Sequence, residues 1–181
     1  METRGTLRVE TTAFAGIYDT HYPRVFRYLV GRIRSPQEAE ELAAEVFATA
    51  LESLRRGAEP RNVGSWLVGI ADHLASRFWR SRVPETTLSE SYPNVEEDPE
   101  ELAIGRLESK ILWQCLDALS EEHRKALLLR IVAGLSAREV GEIMSRSEQA
   151  VRSLQFRALA ALRQQWMEAE RGARLPRTTS P

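Results

Sequence analysis

The chain has 181 residues, 43% of them hydrophobic and 28% charged, with a formal net charge of -1; this is the balance of a globular protein with one ordinary domain or two small ones. No apolar run approaches membrane-spanning length and residues 1–10 are polar with no leader-like segment, so a cytoplasmic protein without membrane insertion is expected. Cys115 is the one cysteine, which excludes an internal disulfide and a thiolate cage, and His21, His73 and His123 lack a second ligand at helical spacing, so neither a metal nor another cofactor is expected.

The net charge hides an uneven distribution. Residues 1–82 hold 12 arginines and no lysine against 10 acids, and residues 106–181 hold 13 basic residues against 9 acids. Between them, residues 83–105 hold 7 acids and no base. Two mildly basic ends therefore flank an acidic middle.

In chain order, residues 1–12 show no periodicity and are expected to be disordered. From Phe14 to Ile33 the positions Phe14, Ile17, Tyr18, Val25, Phe26, Leu29, Val30 and Ile33 fit helical packing, with Pro23 marking either a kink or a new helix start. Ser35, Pro36 and Glu38 then form the best-marked helix start in the chain, an S-x-x-E box with proline in the first turn. The helix should reach about Arg55, with Ala39, Leu42, Ala43, Val46, Phe47, Ala50, Leu51 and Leu54 on its apolar face and Glu38, Glu41, Glu45 and Glu52 opposite. That acidic face is either plainly solvated or a docking surface for a basic partner.

Gly57, Pro60, Asn62 and Gly64 interrupt any period and predict a loop. A helix over 65–82 follows, with Trp66, Leu67, Ile70, Ala71 and Leu74 as its stripe, ending in Arg77-Phe78-Trp79-Arg80-Ser81-Arg82. Basic residues interleaved with aromatics suit phosphate binding and stacking on unpaired bases, although Phe78 and Trp79 equally suit a core. Pro84, Pro93 and Pro99 within the acidic stretch 83–105 predict an extended linker. Helical periodicity returns through Leu102, Ile104, Leu107, Ile111, Leu112, Leu116 and Leu119. With no strand pattern and no repeat, the fold expected is all-α, two small helical domains over 13–82 and 106–166, followed by a tail over 167–181.

The rear part reads as a helix-turn-helix. A helix from Ser120 to Ile131, with Ala126, Leu127 and Ile131 at helical spacing, stops at Ala133-Gly134; Ser136 and Glu139 form a capping box for a short second helix bearing Val140, Ile143 and Met144. After the polar turn Ser145-Arg146-Ser147, a third helix from about Glu148 to Trp166 has an apolar stripe of Ala150, Val151, Leu154, Ala158, Ala161 and Leu162. Arg152, Ser153, Phe156, Arg157 and Arg163 project elsewhere, a set suited to a major groove, where arginine pairs with guanine edges and hydroxyls meet phosphates. Repressors, response regulators and sigma factors all share this signature.

The order of parts resembles the extracytoplasmic-function (ECF) class of bacterial sigma factors. At the front, Tyr22-Pro23-Arg24-Val25, Glu38-Ala39-Glu40-Glu41-Leu42, Glu45-Val46-Phe47, Trp66-Leu67 and Ile70-Ala71 look like the family's second conserved region; Leu119-Ser120 and the stretch from Gly134 to Arg163 are similar to its fourth. The resemblance implies a protein with no enzymatic chemistry that binds RNA polymerase core and promoter DNA and has an anti-sigma factor as partner. It implies core contacts at Glu38, Glu41, Leu42, Glu45 and Val46. It further implies melted -10 strand contacts at Arg61, Asn62, Trp66, His73, Arg77 and Arg80, and -35 readers at Arg146, Gln149, Arg152, Ser153, Phe156 and Arg157. Departures from the family pattern include His73 for an asparagine, Val63 for a loop aromatic, Leu51 for a tryptophan and Ser145 for a turn glycine. The alternative from another class is a helix-turn-helix repressor whose front domain dimerises.

Overall fold

The computed structural model describes residues 3–81 and 110–174, with side chains from Phe14 to Ser81 and from Lys110 to Arg171. The elements are α1 (Thr3–Ile33), α2 (Pro36–Arg55), α3 (Val63–Ser81), α4 (110–117 in its described part), α5 (Glu121–Leu127), α6 (Ala137–Met144) and α7 (Glu148–Arg174). No strand occurs among the described residues. The acidic linker expected over 83–105 lies outside the described residues.

The helix boundaries follow from local chemistry. Ser35 accepts the Glu38 amide at 3.3 Å, with Pro36 in the first turn of α2, where its missing N–H costs nothing. Ser136 accepts the Glu139 amide at 3.2 Å while the Glu139 carboxylate accepts the Ser136 amide at 2.8 Å, closing the expected capping box. Helix α1 already begins at Thr3, inside the stretch expected to be disordered, and α7 continues past Trp166 to Arg174. Pro23 neither ends nor starts a helix: α1 runs through it, and the Pro23 carbonyl accepts a bond from Arg27 Nε at 3.0 Å.

The helix after Ser120 also departs from expectation. Regular α-helix ends at Leu127 and a wide π turn takes over from Leu128 to Val132, closed by Ala133 N–H to Leu128 C=O at 2.9 Å. The extra residue buries Leu128 and Leu129 together and turns Ile131 outward, 58% exposed, so Ile131 does not extend the apolar stripe. Ala150, expected on the stripe of α7, is likewise exposed.

Helices α1, α2 and α3 form the front unit around Val25, Leu29, Val46, Phe47, Leu67 and Val68. The rear unit does not stand apart: Leu128, Leu129, Leu135, Val140 and Val151 join the same core, while Leu116, Leu119, Leu127 and Ala158 make a smaller one beside it. Gly31 makes room for this junction, because a Cβ there would sit 2.7 Å from Leu128 Cδ2.

A buried polar node ties the halves. Asp72 in α3 accepts the Tyr28 hydroxyl at 2.7 Å and Lys125 Nζ, from the rear unit, at 2.5 Å. Arg32 lies beside it, Nε 3.9 Å from Asp72, and reaches across to Glu121 at 3.0 Å. Burial, then the charge of Asp72, holds the Tyr28 phenol well above its ordinary range, so it remains a proton donor. Arg32 is 2% exposed, and its Nε and Nη1 have no hydrogen-bond partner, so its charge depends on the two carboxylates nearby. Arg34 adds a second clamp, its guanidinium 4.1 Å from the Trp113 ring centre and paired with Asp117.

Replacing Asp72 with Ala removes the shared acceptor and leaves Arg32 and Lys125 facing each other without it. We expect Asp72→Ala to destabilise the chain by about 3–5 kcal/mol in urea titration, the size found when one partner of a buried pair is deleted. A loss below about 1 kcal/mol would show that the node is not what joins the halves.

Candidate DNA and polymerase interfaces

Helix α7 is positioned by a tight turn after α6. The Arg146 carbonyl passes so close to α6 that a Cβ on Gly141 would lie 2.6 Å from its oxygen, a contact with backbone that only glycine avoids. Ser145 makes the bend in the left-handed region, φ 54° and ψ 46°. Ser147 then accepts the Ala150 amide at 3.2 Å as α7 begins. Val151, Leu154 and Ala158 seat one side of α7 in the core, so Gln149, Arg152, Ser153, Phe156 and Arg157 all face outward. Phe156 is 76% exposed, a large apolar ring held at the surface. Arg152 is paired with Glu148 one turn earlier at 2.5 Å, and Arg146 with Glu122 of α5 at 2.6 Å. These pairs are exposed and contribute little to stability, so phosphates or base edges can replace their acidic partners at small cost.

In the front unit, Asn62 starts α3 by accepting the Ser65 amide at 3.0 Å. Arg61, Asn62, Trp66 and His73 line one cleft of about 800 Å³, together with Pro60, Gly69, Ile70 and Leu74. The opposite wall belongs to α6, through Arg138, Glu139, Glu142 and Ile143. Two of the candidate strand-binding residues lie elsewhere. Arg77 turns to Glu45 of α2, and Arg80 lines a neighbouring polar cavity with Asp72, His73, Ser76, Trp79 and Glu121. Trp79, which suited core and surface alike, does both: 44% exposed, it donates its indole N–H to the Arg32 carbonyl at 3.1 Å, whereas Phe78 packs against the core.

On α2, Glu41 is exposed and Glu38 and Glu45 are partly so. Leu42 at 8% and Val46 at 0% exposure are core residues, which corrects their place among the partner contacts: Val46 offers no surface to anything outside the chain and Leu42 very little. The polar node of Tyr28, Arg32, Asp72, Glu121 and Lys125 escaped sequence reasoning. One signal was available, since Asp72 falls four residues after Val68 and three before Ala75, on the buried face of α3. No group of three or more His, Cys, Asp or Glu arranged to hold a metal occurs among the described residues, and none of the described helices is long and apolar enough to cross a membrane.

A helix-turn-helix with an outward basic and aromatic face, set beside a second helical unit with its own cleft, defines a DNA-binding regulator of transcription. Residues 17–84 match the family model of Sigma-70 region 2, and residues 115–164 that of Sigma-70, region 4. The chain is 35% identical to the ECF RNA polymerase sigma factor ShbA of Streptomyces griseus, over 78% of this chain and 81% of that protein. It is 30% identical to SigD of Mycobacterium tuberculosis, over 88% and 80%, and 32% identical to BldN of Streptomyces coelicolor, over 84% of this chain and 60% of BldN. In fold it is similar to CnrH, solved with the cytosolic domain of CnrY, at a TM-score of 0.66 and 19% identity over 91% of each chain. The chain belongs to the ECF RNA polymerase sigma factors, regulatory subunits that direct promoter-specific transcription.

The strained turn yields a test. Ser145 pays for its left-handed backbone, roughly 1 kcal/mol for a residue with a Cβ. Ser145→Gly should therefore raise the melting temperature by about 2–4 °C. A fall in melting temperature would mean that the serine makes a compensating contact.

Proposed function

We propose that the chain reads promoters with two surfaces, α7 on the upstream (-35) element and the α3 cleft on the melted -10 strand, while the acidic face of α2 docks on RNA polymerase core. The observation that carries this reading is the outward set Gln149, Arg152, Ser153, Phe156 and Arg157 on a helix whose other side is locked into the core. The set follows helical spacing along one face, as major-groove reading requires, and Arg146 stands at the preceding turn. Four of the six strand-binding candidates, Arg61, Asn62, Trp66 and His73, share one cleft that combines donors with an aromatic face. Glu41 and Glu45 are the centre of the acidic face, Glu45 with Arg77 as its counterion. An anti-sigma factor is the partner we assign to the free protein. One solved structure of similar fold holds such a complex, RpoE with the anti-sigma factor NepR from Bartonella quintana, and another holds CnrH with the cytosolic domain of CnrY.

Arg152→Ala and Arg157→Ala should each weaken duplex binding. Loss of a base contact should cost about 1–3 kcal/mol and relax specificity at one position. Loss of a phosphate contact should weaken all sequences alike and lower the salt slope by about one. Affinity for the upstream element that is unchanged in the double variant would refute the assignment of α7.

Glu41→Lys should abolish co-elution with core polymerase without altering the circular dichroism, because Glu41 is exposed opposite the core. Glu41 is preferred to Glu45 for this test, since a lysine at Glu45 would also face Arg77. Normal co-elution of Glu41→Lys would remove α2 as the docking face.

A further inference from the structure

The α6 wall of the front-unit cleft has a particular chemistry. Glu139 Oε1 accepts a hydrogen bond from Asn62 Nδ2 at 3.0 Å, and Ser65, whose hydroxyl donates to the Asn62 carbonyl at 3.3 Å, and the positive charge of Arg24 lie near enough to the same carboxylate to help lower its pKa. The Arg24 guanidinium lies over the start of α3, where its Nη1 would be 2.8 Å, and His21 Cε1 3.3 Å, from a Cβ on Gly64, so the glycine leaves room for both side chains. An amide, a hydroxyl and a guanidinium thus converge from the front unit on one anion, and that anion belongs to the rear unit. Glu142, on the same wall, is paired with Arg138 at 3.5 Å, and Ile143 lies 3.8 Å from a Cβ built on Gly69, over the floor of the cleft. Trp66, the aromatic face available for stacking, lines this covered cleft.

We infer that Glu139 occupies the position of a backbone phosphate of single-stranded DNA, and that Arg24, Asn62 and Ser65 are the front-unit residues that hold this phosphate once α6 withdraws. The inference rests on the reading of the α3 cleft as the strand-binding site and adds Arg24 and Ser65 to it. Two ligands then compete for one anion position: the rear unit, tethered in the same chain, and the melted strand. Masking is one-sided. The α7 face remains exposed with α6 seated, so the chain in this arrangement can meet duplex DNA but not the unpaired strand. A strand entering the cleft must displace a carboxylate from its donors and would otherwise meet Glu139 as a like charge. The apparent affinity for single strand is therefore set by the fraction of chains in which α6 has withdrawn.

The test uses the full chain and a fluorescein-labelled single-stranded deoxyoligonucleotide read by anisotropy, with the same sequence as duplex in parallel. Glu139→Gln removes the charge and keeps the α6 cap, because glutamine serves equally at the third position of a capping box. Gly31→Gln opens the junction from a distance by driving a side chain into Leu128, touching neither DNA surface. Both variants should bind single strand roughly fivefold tighter than the parent, as the open fraction rises. Arg24→Ala placed on Glu139→Gln should cancel that gain and lower the salt slope by about 0.7. The inference is overturned if labels on α3 and α6 show that Gly31→Gln has opened the cleft and single-strand affinity does not rise. It is equally overturned if Arg24→Ala leaves the slope unchanged or if no variant binds single strand. Duplex binding through α7 and co-elution with core polymerase, measured on the same proteins, report on the sigma-factor reading separately, so its failure would be seen as such.

Discussion

The described structure depends on one carboxylate placed where an apolar residue would ordinarily stand. Asp72 sits 6% exposed on the buried face of α3, and a charge so placed persists only if cations and donors come to it. Tyr28 and Arg32 come from α1 and Lys125 from the rear unit, so satisfying this one group requires both halves of the chain. Apolar contact between Gly31 and Leu128 adds adhesion without direction. The polar node sets the register, because a shift of the rear unit by one helical position would leave Asp72 without Lys125 and Arg32 without Glu121. Such a junction fixes one register between the halves, and the shared apolar core around Leu128 and Leu129 adds to its hold.

Helix starts and the helix-turn-helix were the most legible features, for a physical reason: caps and turns are chosen by residues adjacent in sequence. Ser35, Ser136 and Glu139 bond to amides three residues away, and Pro36 fits a first turn whatever the rest of the chain does. The outward set on α7 was equally legible, because Val151, Leu154 and Ala158 are a strong enough stripe to determine its opposite. Leu42 and Val46 were misplaced as partner contacts because likeness to a family motif does not distinguish a residue that touches a partner from one that supports the helix beneath it. Their helical spacing with Ala39, Ala43 and Ala50 already pointed inward.

What the sequence could not disclose is all non-local. Asp72 and Lys125 are separated by 53 residues, and Asn62 and Glu139 by 77. Nothing in a linear pattern pairs them. Glu139 in particular had a complete local explanation as a capping residue, and its second role toward Asn62, Ser65 and Arg24 uses the oxygens that a cap leaves accessible. The local bonds from Ser136 are the main reason its carboxyl lies below the usual range, with Ser65 and Arg24 adding to them, so the group is anionic in either role.

The π turn from Leu128 to Val132 acts as a phase shifter between the two tasks of the rear unit. One surplus residue in a helix rotates everything after it by about 100°. Residues before the turn are in register with the front unit, through Lys125 and Glu121, while those after it aim α6 and α7. The angular relation between the junction and α7 is therefore set in part by a single residue of helical slack, together with the turn at Gly134 and the bend at Ser145. Gaining or losing that one residue would re-aim α7 relative to the Lys125 and Glu121 junction while leaving the chemistry of both surfaces intact.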